Sequence, residues 1–211
     1  MKVFRALLFL TLAVSAVRAN VIKTVTLDTS ALGALPNGPF SLGFELADGS
    51  GTGDGNNSVV LSDFQFGSGS PVGSPLTFGT VFGDLSSTVT LTDADPVGGV
   101  FVQTFTPGNT LSFSLSFTTN VDVGTPDEFV FSILDSTFTP IPTGSASPLS
   151  PFLVIDLDSN NPAIQTFSAD GVPAPSIADA PSPVPEPSSA ALIMIPVAGL
   201  AWAARRKIRL V

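Results

Sequence analysis

The chain has 211 residues, 44% hydrophobic and only 12% charged, with a net charge of −9 and neither Cys nor His. This composition excludes disulfides, thiolate nucleophiles, Cys/His zinc sites and Ser–His–Asp or Cys–His catalysis. The eight basic residues all lie at the ends, while the stretch from Thr24 to Ala204 holds all 17 acidic residues and no Lys or Arg. That stretch cannot neutralise phosphates, so no nucleic-acid partner is expected, and its unopposed carboxylates favour solubility and divalent cations.

In chain order, residues 1–19 come first and read as a secretory signal peptide. Lys2 and Arg5 form a positive start, Ala6 to Val17 is apolar, and Val17-Arg18-Ala19 offers a cleavage site after Ala19. Its partners would be the Sec translocon and signal peptidase.

From 20 to 171 the sequence predicts an all-β domain, an antiparallel β-sandwich or jelly-roll-like core. Phe40, Leu42, Phe44 and Leu46 alternate with small or polar residues, as do Leu111, Phe113, Leu115 and Phe117. A period of two gives each strand one buried and one wet face. Further strands are expected at 21–28, 59–66, 78–82, 87–92, 100–106, 128–135, 152–156 and 164–167, separated by Gly, Pro, Asn and Asp turns. Phe, at 17 of the 211 residues, supplies nearly all the aromatic mass of the core.

Two loops carry oxygen-rich clusters. Asp48, Asp54, Asn56 and Asn57 sit on a Gly-rich backbone, and Asp156, Asp158 and Asn160 follow D-x-D-x-N spacing. Calcium takes six to eight oxygens, so Ca²⁺ is the candidate cofactor. Neither loop completes an EF-hand, and Asp-Gly and Gly-Asn are also ordinary turn formers. Asp93-Ala-Asp95 and Asp127-Glu128 read as solvated turn carboxylates. Glu45 and Glu128 are the glutamates of the core, and a glycosidase would need such a pair about 5–10 Å apart. No Arg, Lys, His, Tyr or Trp lies between Thr24 and Gly171 to assist them, so an enzyme is not expected.

Residues 172–187 contain six prolines and predict an extended Pro-rich linker, ending in Pro185-Glu186-Pro187. Residues 188–204 carry no charge and are long enough as a helix, about 26 Å, to span a thin bilayer. Arg205, Arg206, Lys207 and Arg209 follow in a basic tail, 205–211, which the positive-inside rule keeps cytoplasmic. The signal peptide and this single transmembrane helix give one topology, with the core outside.

The order Pro-Glu-Pro, apolar helix, Arg-rich terminus over residues 183–209 resembles the PEP-CTERM protein-sorting signal of bacteria, a segment also labelled an ice-binding protein C-terminal domain. The resemblance implies recognition of Pro185, Glu186 and Pro187 by a membrane transpeptidase, exosortase, after transient residence in the inner membrane. The core is also similar, through 44–67, 111–120 and 126–136, to PEP-CTERM exoproteins with a single Gly-rich β domain. That similarity implies fold and processing and no activity. The expectation is a secreted, non-enzymatic exoprotein with a structural or adhesive role at the cell surface or in the extracellular matrix, with exopolysaccharide as a possible partner. The alternative is a calcium-dependent carbohydrate-binding module of the envelope.

Overall fold

A computed structural model describes residues 20–119, 125–157 and 162–180. The expected signal peptide, the Pro-Glu-Pro motif, the 188–204 helix, the basic tail, Asp158 and Asn160 lie outside the described residues. Within them the protein is all-β, with thirteen strands, one short 3₁₀ turn at Leu32–Ala34 and no α-helix.

The strands are β1 (Val21–Asp28), β2 (Phe40–Ala47), β3 (Ser58–Gln65), β4 (Ser70–Pro71), β5 (Leu76–Phe78), β6 (Thr80–Gly83), β7 (Val89–Thr92), β8 (Gly99–Thr106), β9 (Thr110–Phe117), β10 (Glu128–Leu134), β11 (Leu153–Asp156), β12 (Ile164–Thr166) and β13 (Ser176–Asp179). They form two antiparallel sheets in a β-sandwich-like arrangement. The first has the order β13-β1-β9-β3-β7-β6, and the second β12-β11-β10-β2-β8-β4, with β5 also on β8. The pairs β1·β9, β2·β8 and β3·β7 are nested in sequence and alternate between the sheets.

Alternation explains which faces meet. The inward residues of β2, β8, β9 and β10 are largely Phe and Leu, and all are buried. Phe44 sits at the centre, with Phe131, Phe113, Phe101, Phe129 and Phe64 at centroid separations of 5.3, 5.6, 5.9, 6.2 and 6.2 Å. Burying one such ring contributes about 1.5–3 kcal/mol, and a favourable ring pair adds about 0.5–1.5 kcal/mol. A bulge in β3 keeps Phe inside. The β3·β9 register shifts between Ser62 and Gln65, and Asp63 adopts φ 54°. The inward set thereby changes from Val59 and Leu61 to Phe64 and Phe66, since one extra residue reverses the side-chain parity.

Most expected strands are met to within two residues at each end, and two expected boundaries differ in kind. The strand predicted at 78–82 is two strands in two sheets: β5 pairs with β8, and β6 with β7. Gly79 makes the crossing at φ 70°, and a Cβ there would run into the Gly98 carbonyl. The β fold also continues past Gly171, where the linker was expected to start. Val172 is buried, and β13 pairs with β1 over Thr26↔Ser176 to Lys23↔Asp179. Pro173 and Pro175 disguise this edge strand, which buries little beyond part of Ile177.

Candidate functional site

Carboxylates gather in two places, one at an end of the sandwich and one on the outer face of the second sheet.

The end cluster follows from strand period. Asn57 continues the inward set Val59–Leu61 of β3, Asp93 continues Val89–Leu91 of β7, and Asp127 precedes Phe129–Phe131 of β10. All three polar side chains therefore enter the space between the sheets, where Asp93 is 0% and Asp127 4% exposed. The backbone N–H of Asn57 donates to both Asp93 oxygens, at 3.1 and 3.0 Å. Its side-chain Nδ2 donates to Asp127 Oδ2 at 2.6 Å, and its Oδ1 accepts from Thr118 Oγ1 at 3.1 Å. The Gly49 N–H donates to the other Asp127 oxygen at 2.7 Å. A Cβ on Gly49 would collide with the Thr125 and Pro126 carbonyls, so this approach requires glycine.

Burial pushes the Asp93 carboxyl up to about 7; the Asn57 N–H opposes the shift, and a shared hydrogen bond and the charge of Asp127 add to it. A buried carboxyl resists ionising, because charge is costly at low dielectric. The reading of Asp93 and Asp127 as solvated turn carboxylates is therefore corrected. They clasp the first sheet to the second.

The neighbouring loop satisfies itself. The Asp48 carboxylate accepts from the Ser50 N–H at 2.8 Å, Ser50 Oγ at 2.7 Å, the Gly51 N–H at 3.0 Å, and the Gly53 N–H. Burial works to raise this carboxyl, but the hydrogen bonds from Ser50, Gly53 and Gly51 outweigh it and leave it below its ordinary value. Asp54 accepts from the Asn56 N–H at 3.2 Å and from Asn56 Nδ2 at 2.8 Å. Asp48, Asp54 and Asn56 thus share one loop, as expected, with both carboxylates engaged by that loop. Asp156 lies elsewhere, on β11. Among the described residues no group of three or more acidic side chains is placed to hold a metal ion.

The second cluster lies on the outward positions of the second sheet. One row across β5, β8, β2, β10 and β11 reads Phe78, Val100, Glu45, Val130 and Val154. The next row on one side includes Leu76, Val102, Gly43 and Ser132, and on the other side Ala47, Glu128 and Asp156. Glu45 and Glu128 are thus diagonal neighbours, which puts their Cβ atoms within about 8 Å. Burial raises the Glu45 carboxyl, and the charge of Glu128 adds to this. Burial likewise raises Glu128, reinforced by Asp156.

Gly43 leaves a dip in this face. Leu134, Pro140 and Leu149 wall one side, with Glu45, Val100 and Val102 around the rest, enclosing a cleft of about 80 Å³. Beyond it Leu76 and Phe78 are 61% and 62% exposed. A half-buried carboxyl beside apolar surface is suited to receiving a polar or cationic group from a ligand whose body covers the valines and Phe78. Sequence reading paired Glu45 with Glu128 by elimination. The alternation of β2 and β10 contained the signal for their shared face.

Compared with protein-family models, characterised proteins and solved structures, the chain matches none.

Proposed function

We propose that this is an exported, non-enzymatic exoprotein whose jelly-roll-wound β domain is delivered to the cell surface or matrix through a PEP-CTERM-type tail. The supporting observation is the sequence of residues 183–209, where Pro-Glu-Pro, an uncharged span and an Arg-rich end occur in that order. The fold is compatible with processing there. Among the described residues the last strand, β13, ends at Asp179, six residues before Pro185, so cleavage at the motif spares every described strand. The nested β1·β9, β2·β8 and β3·β7 pairs support the jelly-roll reading.

The β domain has a stable polar clasp and an open outer face, an arrangement suited to an adhesive or structural part. Its two glutamates lack any Lys, Arg or His between Thr24 and Gly171 to steer proton transfer, which favours binding over turnover.

The test is the intact mass of the protein recovered from its native surface or medium. A chain running from Asn20 to about Pro185 is expected. A mass that retains residues 188–211 would replace the sorting signal with a permanent membrane anchor.

A further inference from the structure

We infer that the outer face of the second sheet binds an amino-sugar polymer, with a free ammonium group of the glycan seated beside Glu45 and its pyranose rings lying over Val100, Val102, Leu76 and Phe78. This names a partner for the adhesive role proposed above and rests on the β domain standing outside the cell.

Three observations on the page carry it. The first is charge. Glu45 is half-buried with no hydrogen bond or ion pair among the described residues, and Glu128 and Asp156 follow it along the same face. Lys23, the cation among the described residues, lies on the other sheet, paired with Asp179. The face is thus a negative surface on which Glu45 lacks a cation, and it repels sulfated or uronate polymers. The second is size. The open cleft of about 80 Å³ beside Glu45 has room for a small head group such as an ammonium. The third is the platform. Leu76 and Phe78 stand in register with Val102 and Val100, making a continuous apolar strip whose outer members are mostly exposed.

A flat pyranose face covers such a strip, and its hydroxyls find acceptors in Glu45 and Glu128. A cationic peptide fits less well. β8, β2 and β10 are hydrogen-bonded to neighbours on both sides, so their backbones are closed to an added peptide strand.

The experiment uses the full chain in mild detergent, titrated calorimetrically with three hexamers: glucosamine with free amines, N-acetylglucosamine and lysine. The glucosamine hexamer is expected to bind, and the N-acetylated form to bind at least about tenfold more weakly, since it lacks the cation. Glu45→Gln should weaken binding by a similar factor of about ten with no loss of melting temperature. Phe78→Ala should weaken it severalfold. Asp63→Asn, an equal charge change on the other sheet, should leave it within about twofold.

Absence of binding overturns the inference, as does equal loss in Glu45→Gln and Asp63→Asn, which would mark unspecific attraction to an acidic protein. Binding of the lysine hexamer as tightly as the glucosamine hexamer assigns the face to a peptide and overturns it too. Binding in detergent does not depend on tail processing, so the intact-mass result and this titration fail independently.

Discussion

The two carboxylate clusters contain the same functional groups and have opposite surroundings. At the end of the sandwich, Asp93 and Asp127 are enclosed, and N–H groups of Asn57 and Gly49 serve their oxygens. On the outer face, Glu45 and Glu128 also feel burial, but Glu45 borders a cleft and exposed apolar side chains. A satisfied buried carboxylate is structural because its hydrogen bonds leave nothing to offer a ligand. One lacking partners in a cleft retains its demand for a donor. Removing each group in turn separates the two roles.

Among single substitutions the largest effect is expected from Asp127→Ala. It strands the Asn57 Nδ2 and the Gly49 N–H inside the fold and removes a link between the sheets. The expected cost is about 3 kcal/mol. For a domain of this size that lowers the melting temperature by about 6–12 °C. A melt of the variant within 2 °C or so of the parent would mean the clasp is dispensable.

Next comes pH. The folded Asp93 carboxyl is raised to about 7 from an ordinary value of 3.8, chiefly by burial. Below about pH 4 the folded and unfolded forms both hold the proton, and the stabilising contribution is complete. Between about 4 and 7 the unfolded chain ionises while the folded one resists, so stability declines with rising pH, by at most about 1.4 kcal/mol per unit. Above about 7 the loss levels off. Asp93→Asn keeps an acceptor for the Asn57 N–H and cannot titrate, so its melting temperature should vary less across this window. Parallel curves for parent and variant would remove Asp93 as the source.

Glu45→Gln should raise the melting temperature slightly near neutral pH, by less than either change above. Burial opposes the charge there, and no pairing is lost on removing it. A fall of several degrees would mean that Glu45 supports the fold, and the face would then resemble the clasp.

The contrast between the clusters was partly legible in the sequence. Alternation predicted ten strands because Phe and Leu recur at every second position, and β1 and β2 have the bounds expected. The same period extends one step beyond each strand to Asn57, Asp93 and Asp127. Their polarity and the adjoining Gly and Pro residues suggested turns, and only the pairing of strands distant in sequence shows that the three side chains meet. The break at Gly79 was hidden because Leu76 to Phe82 reads as one apolar run, although its two halves pair with different sheets. β13 was hidden because an edge strand buries few residues and so needs little apolar pattern.

The smallest effect is expected from calcium. Asp48 and Asp54 have the residue types of a calcium loop, but a cation would have to displace three backbone N–H donors and a hydroxyl from Asp48 alone. Those bonds already hold Asp48 in its ionised form below the ordinary range. They also shape the turn that presents the Gly49 N–H to Asp127. Millimolar Ca²⁺ should therefore shift the melting temperature of the full chain by less than about 1 °C, which corresponds to occupancy well below saturation. A rise of several degrees that disappears in Asp48→Asn would show that the loop opens for the ion, and would make this end of the sandwich a ligand site as well as a clasp.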